Sequence, residues 1–234
     1  MNYSFESIDA LFSAIAPEYD RMNDIMSLGW HHLWKAHLVD QLCIHNRLDP
    51  WVYLDMACGS GDIGGRVLKK AQACDSPIVP IFVDPNKDLL AIAQNRYPDP
   101  RIQWYSESAE NLSIDSDSVH VYTISFGLRN VDDRRQSLAR AYDVLMPGGQ
   151  FWCLEFSHPT NPWIHEAFQA YLKILPLLGQ GVIGQSEPYA YLADSIRAFP
   201  SHRVLSSEMM QAGFTHITHE PLSYGVVTMT RGVK

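Results

Sequence analysis

The passage from Trp51 to Ala73 constrains this chain more than any other. A short apolar run, Trp51-Val52-Tyr53-Leu54, leads into Asp55-Met56-Ala57-Cys58-Gly59-Ser60-Gly61-Asp62 and then into a helix-like segment, Ile63 to Ala73. Strand, glycine turn and helix in that order make a nucleotide-type cradle. The glycines let backbone N–H groups approach a ligand, with a helix N-terminus behind them. Asp55 and Asp62 flank the turn, where two carboxylates would repel a pyrophosphate and favour a cation.

The pattern continues on both sides of that unit. Strand-like segments fall at 51–55, 78–83, 102–105, 119–125 and 149–156, and helix-like segments at 62–73, 86–96 and 133–145. Asn86 and either Asp132 or Asp133 read as N-caps, and Met146-Pro147-Gly148-Gly149 reads as a helix stop with a tight turn. A helix at 201–212, stopped at Gly213, precedes two closing strands at 214–220 and 225–231. The expected fold is α/β: a doubly wound, mostly parallel seven-stranded sheet with helices on both faces and an antiparallel last strand. Four regions follow: a helical cap over 1–46, a cofactor-binding core over 47–156, a helical substrate-covering insertion over 157–200, and a C-terminal helix and hairpin over 201–234. In the cap, Phe5, Ile8, Leu11, Phe12 and Ile15 keep helix spacing up to Pro17, and a second helix is expected from Trp30 to Ile44.

Charge and composition remove several function classes. A formal net charge of −8, with no run of Lys and Arg, argues against a broad nucleic-acid footprint. Cys43, Cys58, Cys74 and Cys153 form no C-x-x-C pair and no metal spacing, so reduced thiols and no metal are expected. Residues 1–20 hold Glu6, Asp9, Glu18 and Asp20 but no Lys or Arg, unlike basic secretory or mitochondrial presequences. The apolar segment Ile174 to Ile183 is interrupted by Pro176 and by glycines, Gly184 included, and is too short to span a bilayer. A cytoplasmic protein is expected.

Gly59, Gly61 and Gly64 formally satisfy G-x-G-x-x-G, and Asp84, ending the second strand, lies 20 residues beyond Gly64, where an acid binds ribose hydroxyls. A dehydrogenase and a methyltransferase both use such an acid. The flanking carboxylates separate them, because S-adenosylmethionine has no phosphate and carries a sulfonium cation. No Tyr is followed by a Lys four positions later, as in one common dehydrogenase arrangement. The residues favour the sulfonium cofactor, although Asp55 taken alone could simply cap the helix and Asp84 simply end a strand.

Recognition rests on longer motifs. Tyr122-Thr123-Ile124-Ser125-Phe126-Gly127-Leu128-Arg129-Asn130-Val131, with Leu154-Glu155-Phe156-Ser157, resembles the ubiquinone/menaquinone biosynthesis C-methyltransferase family. Further matches are Phe12 to Asp20, Met22-Asn23-Asp24, Met26 to Gly29, Tyr191 to Ile196, Gly225-Val226-Val227 and Arg231 to Lys234, nearly the full chain. The resemblance implies a class I methyltransferase fold and methyl transfer from S-adenosylmethionine to a ring carbon of a polyprenyl hydroquinone. By the same resemblance, Asp55, Gly59, Ser60 and Gly61 form the cofactor turn, and Asp84 holds the ribose hydroxyls. Ser108 and Ala109 form the adenine loop, and Ser125 lies beside the methionine moiety. Ala57-Cys58 and Ser108 depart from the family's commoner residues.

For the chemistry, Arg129 is expected to stabilise the acceptor's developing oxyanion; its alternative is a structural pair with an acid such as Asp132. Tyr19 and Asp20 are expected to close over cofactor and ring, or else to pack and cap a helix. His158, after the fifth strand, reads more simply as a loop histidine than as a proton acceptor. The aromatic insertion and the N-terminal helices are candidate walls for a prenyl tail. Peripheral membrane attachment, a quinone-biosynthesis complex and a homodimer are the further expectations from the resemblance. A benzoquinol acceptor is favoured. Demethylmenaquinol, another phenolic acceptor, and a weakly active cofactor-binding scaffold stay open as alternatives.

Overall fold

A computed structural model describes residues 5–42, 49–183 and 186–234. Three helices open the chain: α1 (Phe5–Ile15), α2 (Tyr19–Ser27), reached through a 3-10 turn at Ala16–Glu18, and α3 (His31–Gln41). Then follow β1 (Trp51–Met56), α4 (Asp62–Ala73), β2 (Ile78–Val83), α5 (Lys87–Arg96), β3 (Gln103–Tyr105), β4 (Val119–Ser125), α6 (Arg134–Val144) and β5 (Leu145–Phe156). The remainder is α7 (Pro162–Ile183), α8 (Glu187–Ala198), α9 (His202–Ala212), β6 (Thr215–Leu222) and β7 (Val227–Val233).

The strands form one seven-stranded sheet in the order β3-β2-β1-β4-β5-β7-β6. Its first five strands pair in parallel, and β7 runs antiparallel to both neighbours, as the closing hairpin requires. The strand order reverses between β1 and β4, and such switch points open a crevice at the strand C-termini. Alternate strand residues feed two cores. Trp51, Tyr53, Phe82, Trp152 and Leu154 pack with α3, α4, α7 and α8 on one face. Leu54, Met56, Ile81, Ile124 and Phe151 pack with α6 and α9 on the other.

Several boundaries differ from the sequence expectation. β5 begins at Leu145 rather than at 149, because Leu145 already pairs with Val119. The register then shifts, so that Val121 faces Gln150, and the Pro-Gly-Gly segment bulges out with Gly148 at φ +79°. α7 runs straight through Pro176, so this proline does not break the helix. No helix among the described residues is long and apolar enough to cross a membrane. Cys58, Cys74 and Cys153 are free thiols. Cys43, Ile44 and Gly184 lie outside the described residues.

Gly64 shows why the turn needs its third glycine. A Cβ there would sit 2.0 Å from the ring of Phe82 on β2, so α4 can lie this close to the sheet only without one. Gly64→Ala should therefore cost about 1–3 kcal/mol or more of unfolding free energy by overpacking, measured by urea denaturation. A loss below about 0.5 kcal/mol would contradict this packing.

Candidate active site

A cavity opens at the C-terminal ends of β1, β2 and β4. Its floor and sides come from Met56, Ala57, Asp84, Pro85, Asn86, Leu89, Ser108, Ala109, Ile124, Phe126, Gly127, Asn130 and Val131. Ile8, Asp9, Phe12 and Tyr19, all from the N-terminal segment, close it from the other side. Two non-glycine residues on its wall hold left-handed backbone, Ala57 at φ +52° and Phe126 at φ +56°. Each such residue costs about 1–2 kcal/mol, and strain of this kind collects at ligand sites. The chain after Phe126 passes close to Ala57: a Cβ on Gly127 would lie 2.5 Å from the Ala57 Cβ.

Asp84 is buried at the cavity wall and accepts hydrogen bonds from the N–H of Gly59 (2.7 Å) and of Asn86 (2.9 Å). Burial outweighs those bonds and pushes its carboxyl up to about 6. Gly59 itself holds φ +55°, and its Cα face is covered by the Tyr19 ring, 3.3 Å from where a Cβ would stand. Burial raises the Tyr19 hydroxyl to about 12 against the opposing charge of Arg129. Asn86 caps α5 by accepting from the Leu89 N–H, while its own amide donates to Asp9 Oδ1 (2.7 Å) and Ser13 Oγ (2.9 Å) of α1.

Asp55 lies beneath the turn and not at the cavity. It is 1% exposed, accepts from the Gly64 N–H (2.8 Å) and the Thr123 hydroxyl (3.0 Å), and burial pushes its carboxyl up to about 7. Asp62 is taken by Lys35 (2.9 Å) and Arg66 (2.8 Å), and the two cations hold its carboxyl down to about 2. The expectation that these two charges favour a bound cation is thus corrected: one is tied into the backbone, the other neutralised. The same ion cluster reaches α2 and α3. The Arg66 guanidinium donates to His32 Nδ1 (3.1 Å), so His32 Nε2 carries the proton and donates to Asp24 (2.9 Å). Asp24 also bonds His31 Nε2 at 2.8 Å.

A family model described as the ubiE/COQ5 methyltransferase family matches residues 2–234. A ubiquinone/menaquinone biosynthesis C-methyltransferase from Methylobacterium nodulans is 40% identical over 97% of this chain and 90% of its own length. A mitochondrial 2-methoxy-6-polyprenyl-1,4-benzoquinol methylase from Schizosaccharomyces pombe is 39% identical over 96% of this chain and 78% of its own. The chain belongs to the ubiE/COQ5 methyltransferase family. Among solved structures, an S-adenosylmethionine-dependent methyltransferase from Thermotoga maritima shares the fold at TM-score 0.66 and 18% identity, over 96% of this chain and 98% of that one.

For a methyltransferase of this family, the residues at the cavity fit a nucleoside-bearing methyl donor. Asp84 keeps spare lone pairs for hydroxyl donors, and the Ser125 Oγ at the end of β4 is buried without a partner. Of the expected site residues, Asp84, Ser108, Ala109 and Tyr19 line the cavity, and Gly59 lies under Tyr19. Ser60, Gly61 and Asp20 sit outside it: the Ser60 hydroxyl donates to Asp20 (2.8 Å), and Gly61 packs against Tyr97. Arg129 is in a buried pair with an acid, as its structural alternative expected, though the acid is Glu155 (2.9 Å) and not Asp132, and it does not line the cavity. His158 bonds the Phe199 carbonyl (2.9 Å) and lies away from the cavity. Sequence reasoning missed Asp9, Asn86 and Phe126 as wall residues; only Phe126 had a signal, its place in the motif ending at Val131.

The buried Asp55 gives a pH dependence. Its carboxyl is raised from the usual 3.8 to about 7, so the folded chain holds a proton that the unfolded chain has released. That contribution is fully present below about pH 4 and is lost as pH rises through about 7. Relative to Asp55→Asn, the native chain should lose on the order of 4 kcal/mol of unfolding free energy between those limits. A pH-independent difference between the two in urea unfolding would rule this out.

Proposed function

We propose that the protein methylates a ring carbon of a polyprenyl benzoquinol, taking the methyl group from S-adenosylmethionine. The observation that carries this reading is a single aromatic layer between the cavity and a second, apolar groove of about 840 Å³. The groove is lined by Met26, Leu28, Trp30, Trp34, Phe156, Phe168, Tyr171, Tyr224 and Val226. Phe126, on the cavity side, lies 5.1 Å from Phe156 and 6.3 Å from Trp34, centroid to centroid. Trp34 is fixed by its indole N–H to Ser223 Oγ at 2.8 Å. A flat ring with a long hydrocarbon tail suits such a groove, and the fission yeast relative is named for an acceptor of that kind.

S-adenosylmethionine supplies an electrophilic methyl group on a sulfonium. Transfer to the acceptor's ring carbon would release S-adenosylhomocysteine, and loss of that carbon's hydrogen as a proton restores the hydroquinol. The ring carbon gains nucleophilicity as a neighbouring hydroxyl gives up its proton to solvent, so a positive group held near that oxygen lowers the barrier. Arg129 suits this role. Its side chain is 6% exposed, its Nε has no hydrogen-bond partner, and its guanidinium lies 5.8 Å from the Phe156 ring centre on the dividing layer. Glu155 fixes it by accepting from Nη1 and from the Arg129 backbone N–H (3.2 Å), and the Phe126 carbonyl accepts from Nη1 as well. The guanidinium is therefore preorganised in a site of low polarity. Tyr19, with its hydroxyl raised to about 12, stays protonated and serves as a donor, not a base. Alignment of ring and donor supplies the rest of the rate.

Incubation with methyl-labelled S-adenosylmethionine and a demethylated polyprenyl benzoquinol should give a ring-methylated product by mass analysis. The bacterial relatives are named for menaquinone as well, so a demethylated naphthoquinol belongs in a parallel reaction. Product from the naphthoquinol alone would replace the benzoquinol reading, and product from neither would sink both. Arg129→Lys should lower kcat about 10²–10³-fold with cofactor affinity within about twofold. Alanine is the wrong probe here, because an unpaired buried Glu155 would cost about 3–5 kcal/mol of stability.

The groove's lip is strongly apolar: Leu28 is 73% exposed, Trp30 52% and Tyr224 83%. On this reading the lip rests against a bilayer, from which the tail enters. Replacing Leu28 and Trp30 together by Ser should weaken co-sedimentation with neutral phosphatidylcholine vesicles. It should also raise KM for a long-tailed acceptor more than for a short-tailed one; equal changes would remove the lip from tail binding.

A further inference from the structure

We infer that Arg96 is a positioning residue for the cavity, acting through Asp20 and Ser60 as a latch that holds the α1–α2 segment shut over it. The inference rests on the proposed use of the cavity for S-adenosylmethionine. The N-terminal residues Ile8, Asp9, Phe12 and Tyr19 form the outer wall, while the inner wall belongs to the sheet. These residues cover part of the cavity mouth, so on this inference whatever holds them slows the exchange of a ligand of nucleoside size.

Three side chains from three elements close a ring of hydrogen bonds at the edge of this wall. The Ser60 hydroxyl, from the glycine turn, donates to Asp20 Oδ1 at 2.8 Å. Arg96, the last residue of α5, donates from Nη2 to Asp20 Oδ2 at 2.6 Å and from Nη1 to Ser60 Oγ at 3.3 Å. Asp20 stands in the first turn of α2 and Arg96 in the last turn of α5, so each charge also suits its helix end. Tyr19, adjacent to Asp20, is thereby held with its ring over Gly59.

The strength of the ring suits a latch. The Asp20 side chain is 51% exposed and that of Arg96 38%, so water and salt compete with the pair and its opening is inexpensive. Further polar ties flank the ring: Asn86 donates to Asp9 and Ser13 at the α1 end, and at the far end of α2 Asp24 bonds His31 and His32 while the Tyr171 hydroxyl donates to the Met26 carbonyl. The segment is thus held at both ends, and the exposed ring at Asp20 is the tie nearest Tyr19. Asp20, expected from sequence to close over cofactor and ring with Tyr19, on this inference does so by securing the residue beside it.

The test uses the full chain and S-adenosylhomocysteine as the probe. Stopped-flow dissociation should be about five- to tenfold faster in Arg96→Gln, similarly fast in Asp20→Asn, and intermediate in Arg96→Lys, which keeps the charge. The double variant should be no faster than Arg96→Gln, because both break one ring. Backbone amides of residues 19–27 should also exchange faster in unliganded Arg96→Gln. Dissociation within about twofold of the native rate in Arg96→Gln, or single effects that multiply in the double variant, would overturn the latch. A native chain that binds neither S-adenosylmethionine nor S-adenosylhomocysteine would instead defeat the cofactor reading. Amide exchange then decides the latch alone: faster exchange in Arg96→Gln supports it, and unchanged exchange overturns it.

Discussion

The glycine turn after β1 depends on two buried carboxylates that bond its backbone from different directions. Asp55 takes the Gly64 N–H from beneath, and Asp84 takes the Gly59 N–H from the neighbouring strand. An unmade bond at either buried N–H would cost about 1–3 kcal/mol, so the turn's shape is fixed before any ligand arrives. The same two bonds raise the question of charge. Both carboxyls are pushed upward, Asp55 to about 7 and Asp84 to about 6, because burial outweighs the donors around them. Asp84 therefore meets the cavity as a strained acceptor, and further hydroxyl donors would relieve its desolvation.

That arrangement explains what could be read from the sequence. The strand-turn-helix unit, the alternation after it and the closing hairpin all rest on local patterns of period two and 3.6, and all seven strands appear near their expected places. The β5 boundary failed because Leu145 is paired by a register shift that no local pattern encodes. Pro176 failed as a breaker because α7 accommodates it inside a long helix. Asp84, Ser108 and Ala109 were placed through strand ends and the family resemblance, and they do line the cavity.

What sequence could not supply was direction. Asp55, Asp62 and Asp20 are all carboxylates close to the turn in sequence or motif, yet they face down, outward to cations, and across to Arg96. Their partners lie up to 76 residues away in the chain. The partner of Arg129 illustrates the same limit: Asp132 is near in sequence, but β5 brings Glu155 beside it across 26 residues. Charge counting around a motif ranks ligands only when the counted charges reach them.

The dividing layer then acquires its meaning from the electrostatics on its two sides. Phe126 and Phe156 keep an apolar groove apart from the cavity that holds Asp84, while Arg129 lies buried against the same layer with Nε unpartnered. A guanidinium in water would be screened and mobile; here one acid and one backbone carbonyl fix it. Glu155 at 2.9 Å offsets much of its charge, so on the proposed reading a developing anion meets the pair as a fixed dipole with the Nε–H left free to donate. The left-handed backbone at Phe126 is what lets β4 end in this ring and still turn Arg129 back towards Glu155. On the proposed reading, the strain at that one residue positions both the wall that separates the two ligands and the charge that acts across it.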